Sequence, residues 1–146
     1  MASSYSTNAG LELVTTGEKA GLWGDITNTN LQILEQTATG YLSVDMAGAS
    51  VTLTLTNGST SNGKNIYLRL YGTLAADRTL TMPATANRVW IVKDETVRGT
   101  SNRTLGVLTA SGSTTTQIPP GATVLCRSNG SETDLTILKK RLCNYY

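Results

Sequence analysis

From Ser50 onward, apolar side chains recur at every second position. In SVTLTLTNG, Val51, Leu53 and Leu55 share one side and Thr52, Thr54 and Thr56 the other, ahead of an Asn57-Gly58 turn signal. The alternation returns in NIYLRLYG at Ile66, Leu68 and Leu70, in RTLTMP at Leu80 and Met82, and in TLGVLTA at Leu105 and Val107. TTTQI, ATVLCRSNG with Val124 and Cys126, and TDLTILK with Leu135 and Ile137 extend the series. RVWIVKD sets Val89 and Ile91 on one face and Trp90 and Val92 on the other, which predicts a strand at the sheet centre covered on both sides. Strands separated by turn signals at this spacing predict a mainly β body over residues 41–146, an antiparallel β-sandwich or jelly-roll-like fold. Pro119 and Pro120 suit an edge or loop leading into the strand at Ala122.

Residues 1–40 follow a different pattern. Gly10, Gly17 and Gly21 interrupt short apolar pieces such as Leu11, Leu13 and Val14, which predicts an extended N-terminal arm that needs a partner surface. One short helix is expected from Ile26 to Ala38, with Thr27 as N-cap, Ile26 and Leu31 as a hydrophobic staple, and Gly40 as the stop. Ile26, Leu31, Ile33, Leu34 and Ala38 crowd one side of it, so the helix has a face to bury. At this length it does not stand alone in water.

At 146 residues the chain fits one domain with an arm. It holds 25 Thr and 12 Ser, yet 39% hydrophobic residues suffice for a small core when they alternate along strands. Histidine is absent, which removes Ser-His and Cys-His relays and every His-ligated metal site. Cys126 and Cys143 are too few for a four-Cys zinc site or a disulfide scaffold, and Cys126 reads as a buried thiol. Asp94 and Glu95 are neighbours on one strand and face opposite sides, so they do not form a facing carboxylate pair. GxGxxG, the P-loop pattern and a calcium loop are all missing. No catalytic residue, metal or cofactor is expected, and the chain is read as a non-enzyme.

Charge is distributed unevenly. Residues 1–50 carry Lys19 against five carboxylates, a balance of −4, whereas residues 51–146 carry eleven cations and five carboxylates, +6. Either the front part lies against the body of another copy, or the two parts attract within one chain. Arg69, Arg78, Arg88, Arg98, Arg103 and Arg127 are dispersed without interleaved aromatics, which argues against nucleic acid as a partner. No apolar run reaches the roughly 18 residues of a membrane span, and MASSYSTNAG is not a signal peptide, so a membrane is not expected either. The tail KKRLCNYY joins three cations to Tyr145-Tyr146, a solvated end or a docking tab.

The stretch from Tyr5 to Val44 resembles the N-terminal segment of tailed-bacteriophage tail-fibre-like virion structural proteins. The resemblance is carried by Thr16-Gly17-Glu18, Gly21, Trp23-Gly24, Thr27-Asn28-Thr29-Asn30-Leu31 and Glu35. The following NGKNIYLRLYGTLAADRTLTMP and RVWIVKD are similar to the β-module that continues such proteins. It implies a virion component synthesised in the host cytoplasm, assembled as a homotrimer and attached through residues 1–40 to the tail. Longer relatives continue into shaft or receptor-binding sequence, so a chain of this length is expected as an adaptor or a short appendage. The residues expected at the assembly interface are Leu11, Leu13, Trp23, Ile26, Leu31 and Leu34. Rival readings are a capsid decoration protein with its arm clamped across the shell, and a host-glycan-binding module in which Trp90, or Tyr67 and Tyr71, form a stacking platform.

Overall fold

The computed structural model describes residues 4–83, 87–109, 112, 115–129 and 133–138. The chain forms β1 (Ser4–Tyr5), β2 (Glu12–Leu13), α1 (Trp23–Thr39), β3 (Tyr41–Asp45), β4 (Val51–Thr52), a 3₁₀ turn at Asn62–Lys64, and β5 (Tyr67–Thr73). It continues through β6 (Arg78–Met82), β7 (Asn87–Val97), β8 (Leu105–Thr109), β9 (Thr116–Gln117), β10 (Thr123–Asn129) and β11 (Thr133–Leu138). Among the described residues the protein is mainly β with one α-helix. A five-stranded sheet in the order β11-β10-β7-β5-β3 packs with a four-stranded sheet in the order β4-β6-β8-β9. One cluster joins them: Leu68, Leu70, Trp90, Val92, Val124 and Cys126 come from the first, and Leu80, Met82, Leu105 and Val107 from the second.

Successive strands from β3 to β8 alternate between the two sheets, so the chain winds in coils and strands one coil apart lie side by side in parallel. Tyr41, Tyr67 and Ile91 are thus neighbours across the first sheet, and Val51, Leu80 and Val107 across the second. Antiparallel pairing, expected throughout, holds for β7-β10, β10-β11 and β8-β9 and for the small β1-β2 ladder. The Asn57-Gly58 turn exists, with Gly58 at φ 68°, but the 3₁₀ turn follows it and the strands on either side belong to different sheets. Period-two alternation specifies which face is buried and leaves the pairing partner open.

β7 lies at the centre of its sheet, as its pattern predicts, but is covered on one side alone. Trp90 and Val92 are fully buried, while Val89 is exposed and Ile91 half-buried. The arginines serve the fold. Arg78 donates to the carbonyls of Met46, Ala47 and Gly48, and Arg88 donates to the carbonyl of Lys64. Arg98 pairs with the buried Asp94, and Arg69 pairs with Glu95 at 2.6 Å on the outer face, so the two adjacent acids do point to opposite sides. Cys126 is buried; Cys143, the 139–146 tail and the turn at Gly130 lie outside the described residues.

Candidate functional site

Residues 4–40 form a hairpin and a helix, and the expected extended arm is not confirmed. β1 and β2 pair with Ser4 opposite Leu13, and the tip is closed by the Gly10 amide donating to the Ser6 carbonyl at 3.0 Å. Gly10 sits at φ 65°, and a Cβ there would lie 2.8 Å from Asn57 Oδ1, so a glycine is required for the close approach to the 57–58 turn. The Gly58 amide donates to the Gly10 carbonyl at 2.7 Å and fastens the hairpin to the body. The Asn87 amide donates to Asn8 Oδ1 at 3.3 Å, and a further anchor is Asn30 of α1. The Glu12 amide donates to Asn30 Oδ1 at 3.0 Å, and Asn30 Nδ2 donates to the Glu12 carbonyl at 2.9 Å, so one side-chain amide completes β2 as a neighbouring strand would. Lys19 reaches the Glu12 carboxylate at 3.3 Å.

α1 begins earlier than the sequence predicts. Leu22 is the N-cap without a side-chain hydrogen bond, Thr27 lies inside the helix, and Asp25 in the first turn supplies negative charge to the N-terminal dipole. Ile26 and Leu31 are therefore no staple, since both are helical and face different ways. The stop at Gly40 is as expected. A Cβ there would stand 2.2 Å from the Gln36 carbonyl oxygen, which leaves room for glycine alone.

The expected single apolar side of α1 is two stripes. Ile33 is fully buried and Ile26 half-buried, facing the body together with Asn30 and Gln36, whose side-chain amide donates to the Ser61 carbonyl. Trp23, Leu31, Leu34 and Ala38 run along an adjoining stripe that faces outward. Trp23 is 63% exposed, Leu31 58% and Leu34 46%; Leu22 at 50% and Leu13 of the hairpin at 51% are exposed as well. Of the six residues expected at an interface, Leu13, Trp23, Leu31 and Leu34 are thus exposed, while Leu11 and Ile26 are half-buried in the hairpin and helix packing. Leu22 was missed; its place just before the helix start gives no periodic signal.

A cleft of about 250 Å³ between hairpin and helix is bordered by Glu12, Lys19, Leu22, Asp25 and Asn30. Glu12 and Asn30 are already committed to holding the hairpin. Among the described residues no three acidic or cysteine side chains are placed to hold a metal ion.

The aromatic platform is not assembled. Trp90 is fully buried and donates its indole N–H to the Gly63 carbonyl at 2.9 Å, because its strand position faces the core. Tyr67 is on the outer face but stacks on Tyr41 at 5.5 Å between ring centroids, and Arg69 lies over the Tyr71 ring at 5.4 Å. Those ring faces are covered by neighbours, whereas Tyr41 itself is 57% exposed. Comparisons with protein-family models, with curated proteins and with solved structures find no match to this chain.

Proposed function

We propose that the chain is a non-enzymatic assembly protein, a tail-fibre-type component of a phage virion that associates with copies of itself and with the tail through its hairpin and helix. The observation that carries this reading is the outward apolar stripe of Trp23, Leu31 and Leu34, with Leu13 and Leu22 exposed as well. Large apolar side chains gathered on one exposed surface mark an interaction site far more than scattered ones do. The resemblance of residues 5–44 to tail-fibre-like proteins supplies the setting, a virion. A large cost opposes any such contact: burying five half-exposed side chains returns roughly 5 kcal/mol, against an association cost of about 4–15 kcal/mol. The stripe is thus one part of a larger contact, as in a closed ring where every copy gives and receives.

The test is the mass of the protein in solution. At about 10 µM the chain is expected to sediment as several copies, and Leu31→Asp/Leu34→Asp as one, with unchanged circular dichroism. A wild-type chain that stays monomeric and does not bind isolated phage tails removes the proposal. Gold labelling of whole particles places the protein on tail or shell, and a shell position replaces the tail reading with the decoration one.

A further inference from the structure

We propose that the open edge of β3 pairs with the β3 edge of a second copy, antiparallel about a two-fold axis at Ser43, as a contact separate from the α1 stripe.

Among the described residues β3 ends the five-stranded sheet, with β5 as its one neighbour. The Tyr67 amide donates to the Gly40 carbonyl and the Met46 amide to the Tyr71 carbonyl, so residues 40, 42, 44 and 46 turn their backbone groups toward β5. Those of Tyr41, Ser43 and Asp45 point the other way, and all three residues are exposed. The Tyr41 ring lies against Tyr67 of β5 and not over the edge. Devices that block an edge are missing here: β3 holds no Pro and no Lys, and its register with β5 runs from Tyr41 to Asp45 without a bulge. The smaller sheet is protected differently. Just past β4 the Thr54 amide donates to Asn62 Oδ1 at 2.7 Å, a side chain in the place of a strand, and β4 and β9 are two residues each.

The pattern of β3 selects its own copy. An edge that meets the same edge of a second copy does so about a two-fold axis, which makes the strands antiparallel. With Ser43 opposite the partner's Ser43, Tyr41 stands opposite the partner's Asp45, and every outward amide and carbonyl of both strands has a counterpart. A shift of two residues leaves Tyr41 or Asp45 unmatched, and a shift of one sets outer-face side chains against core-facing ones. In the symmetric register Leu42 adjoins the partner's Val44 on the core-facing side, and the two Asp45 carboxylates stay at opposite ends of the ladder. A five-residue ladder covers far less than the roughly 800 Å² per partner of a stable interface, so by itself it does not hold two copies together at about 10 µM.

Disulfide trapping reads so weak a contact, in full-length chains carrying Cys143→Ser; Cys126 is buried. Ser43→Cys sets the paired Cα atoms about 5.5 Å apart, within disulfide range, whereas Tyr41→Cys leaves them about 14 Å apart. Measured relative to each variant's rate with a small disulfide, Ser43→Cys is expected to form covalent dimer roughly tenfold faster than Tyr41→Cys, and to do so in the Leu31→Asp/Leu34→Asp background as well. Equal rates for the two variants mean random collision and overturn edge pairing; a wild-type oligomer that Leu31→Asp/Leu34→Asp disperses then still leaves the proposed function standing. Trapping that is lost in the Leu31→Asp/Leu34→Asp background overturns the edge as a separate contact. Fast trapping of Ser43→Cys beside a wild type that sediments as one copy and ignores phage tails supports the edge and removes the α1 reading.

Discussion

Two buried cations stand beneath the hairpin. Lys64 donates to the carbonyls of Thr56 at 2.7 Å and Ser59 at 2.6 Å, so its ammonium closes the 56–59 loop from inside. Arg88 holds the Lys64 carbonyl at 2.9 Å and lies over the Trp90 ring at 5.9 Å. Burial, and secondarily the Arg88 charge, hold the Lys64 pKa below its ordinary 10.5. The unfolded chain then binds that proton more tightly than the folded one, which makes folding less favourable at every pH below the lowered value. As pH rises from there towards 10.5, the folded state gains relative to the unfolded one. Lys64→Met removes that gain. In urea titrations at pH 8, 9 and 10, the stability of the wild type relative to Lys64→Met is expected to increase with pH, and a difference independent of pH would refute the burial of the charge.

The hairpin is held to the helix by one side chain. Asn30→Ala deletes both of the hydrogen bonds to Glu12, each worth about 1 kcal/mol. The loss is local, because β1 and β2 form their own two-stranded sheet and share no ladder with the body. Amide exchange at Glu12 is therefore expected to accelerate about tenfold or more in Asn30→Ala while the Leu70 amide in β5 is unaffected. Equal acceleration at both would mean that the hairpin and body open together. Alternation in the sequence located strands at or near most of those observed and assigned Leu68, Leu70, Leu80, Val92 and Val124 to the core correctly. It could not tell that Asn30 completes a strand eighteen positions earlier, since a long-range contact leaves no periodic trace. The same holds for α1. Ile33 and Leu34 are adjacent and equally apolar, and it is the position of the 3₁₀ turn and the hairpin that buries one and exposes the other. The candidate surface was legible in its residues and not in its shape, because the extended arm folds back.

Across the whole molecule, coil winding ties the two sheets to one core. Leu80 of β6 is fully buried, stands between Val51 and Val107 in its own sheet, and belongs to the cluster that also holds Trp90 of the opposite sheet. Leu80→Ala removes apolar contacts and leaves a cavity that parallel neighbours on both sides keep from collapsing, a loss of about 2–5 kcal/mol. Since every coil contributes a strand to each sheet, neither sheet can separate without unwinding the other. Trp90 reports on the five-stranded sheet, and Trp23, exposed on the helix, contributes emission that changes little on unfolding of a monomer. In the Leu31→Asp/Leu34→Asp background, Leu80→Ala is expected to shift the urea midpoints of Trp90 fluorescence and far-ultraviolet circular dichroism to lower denaturant by the same amount. A variant whose circular dichroism midpoint falls while the Trp90 midpoint stays in place would show two sheets that unfold separately, and the shared core would not be what binds the coils together.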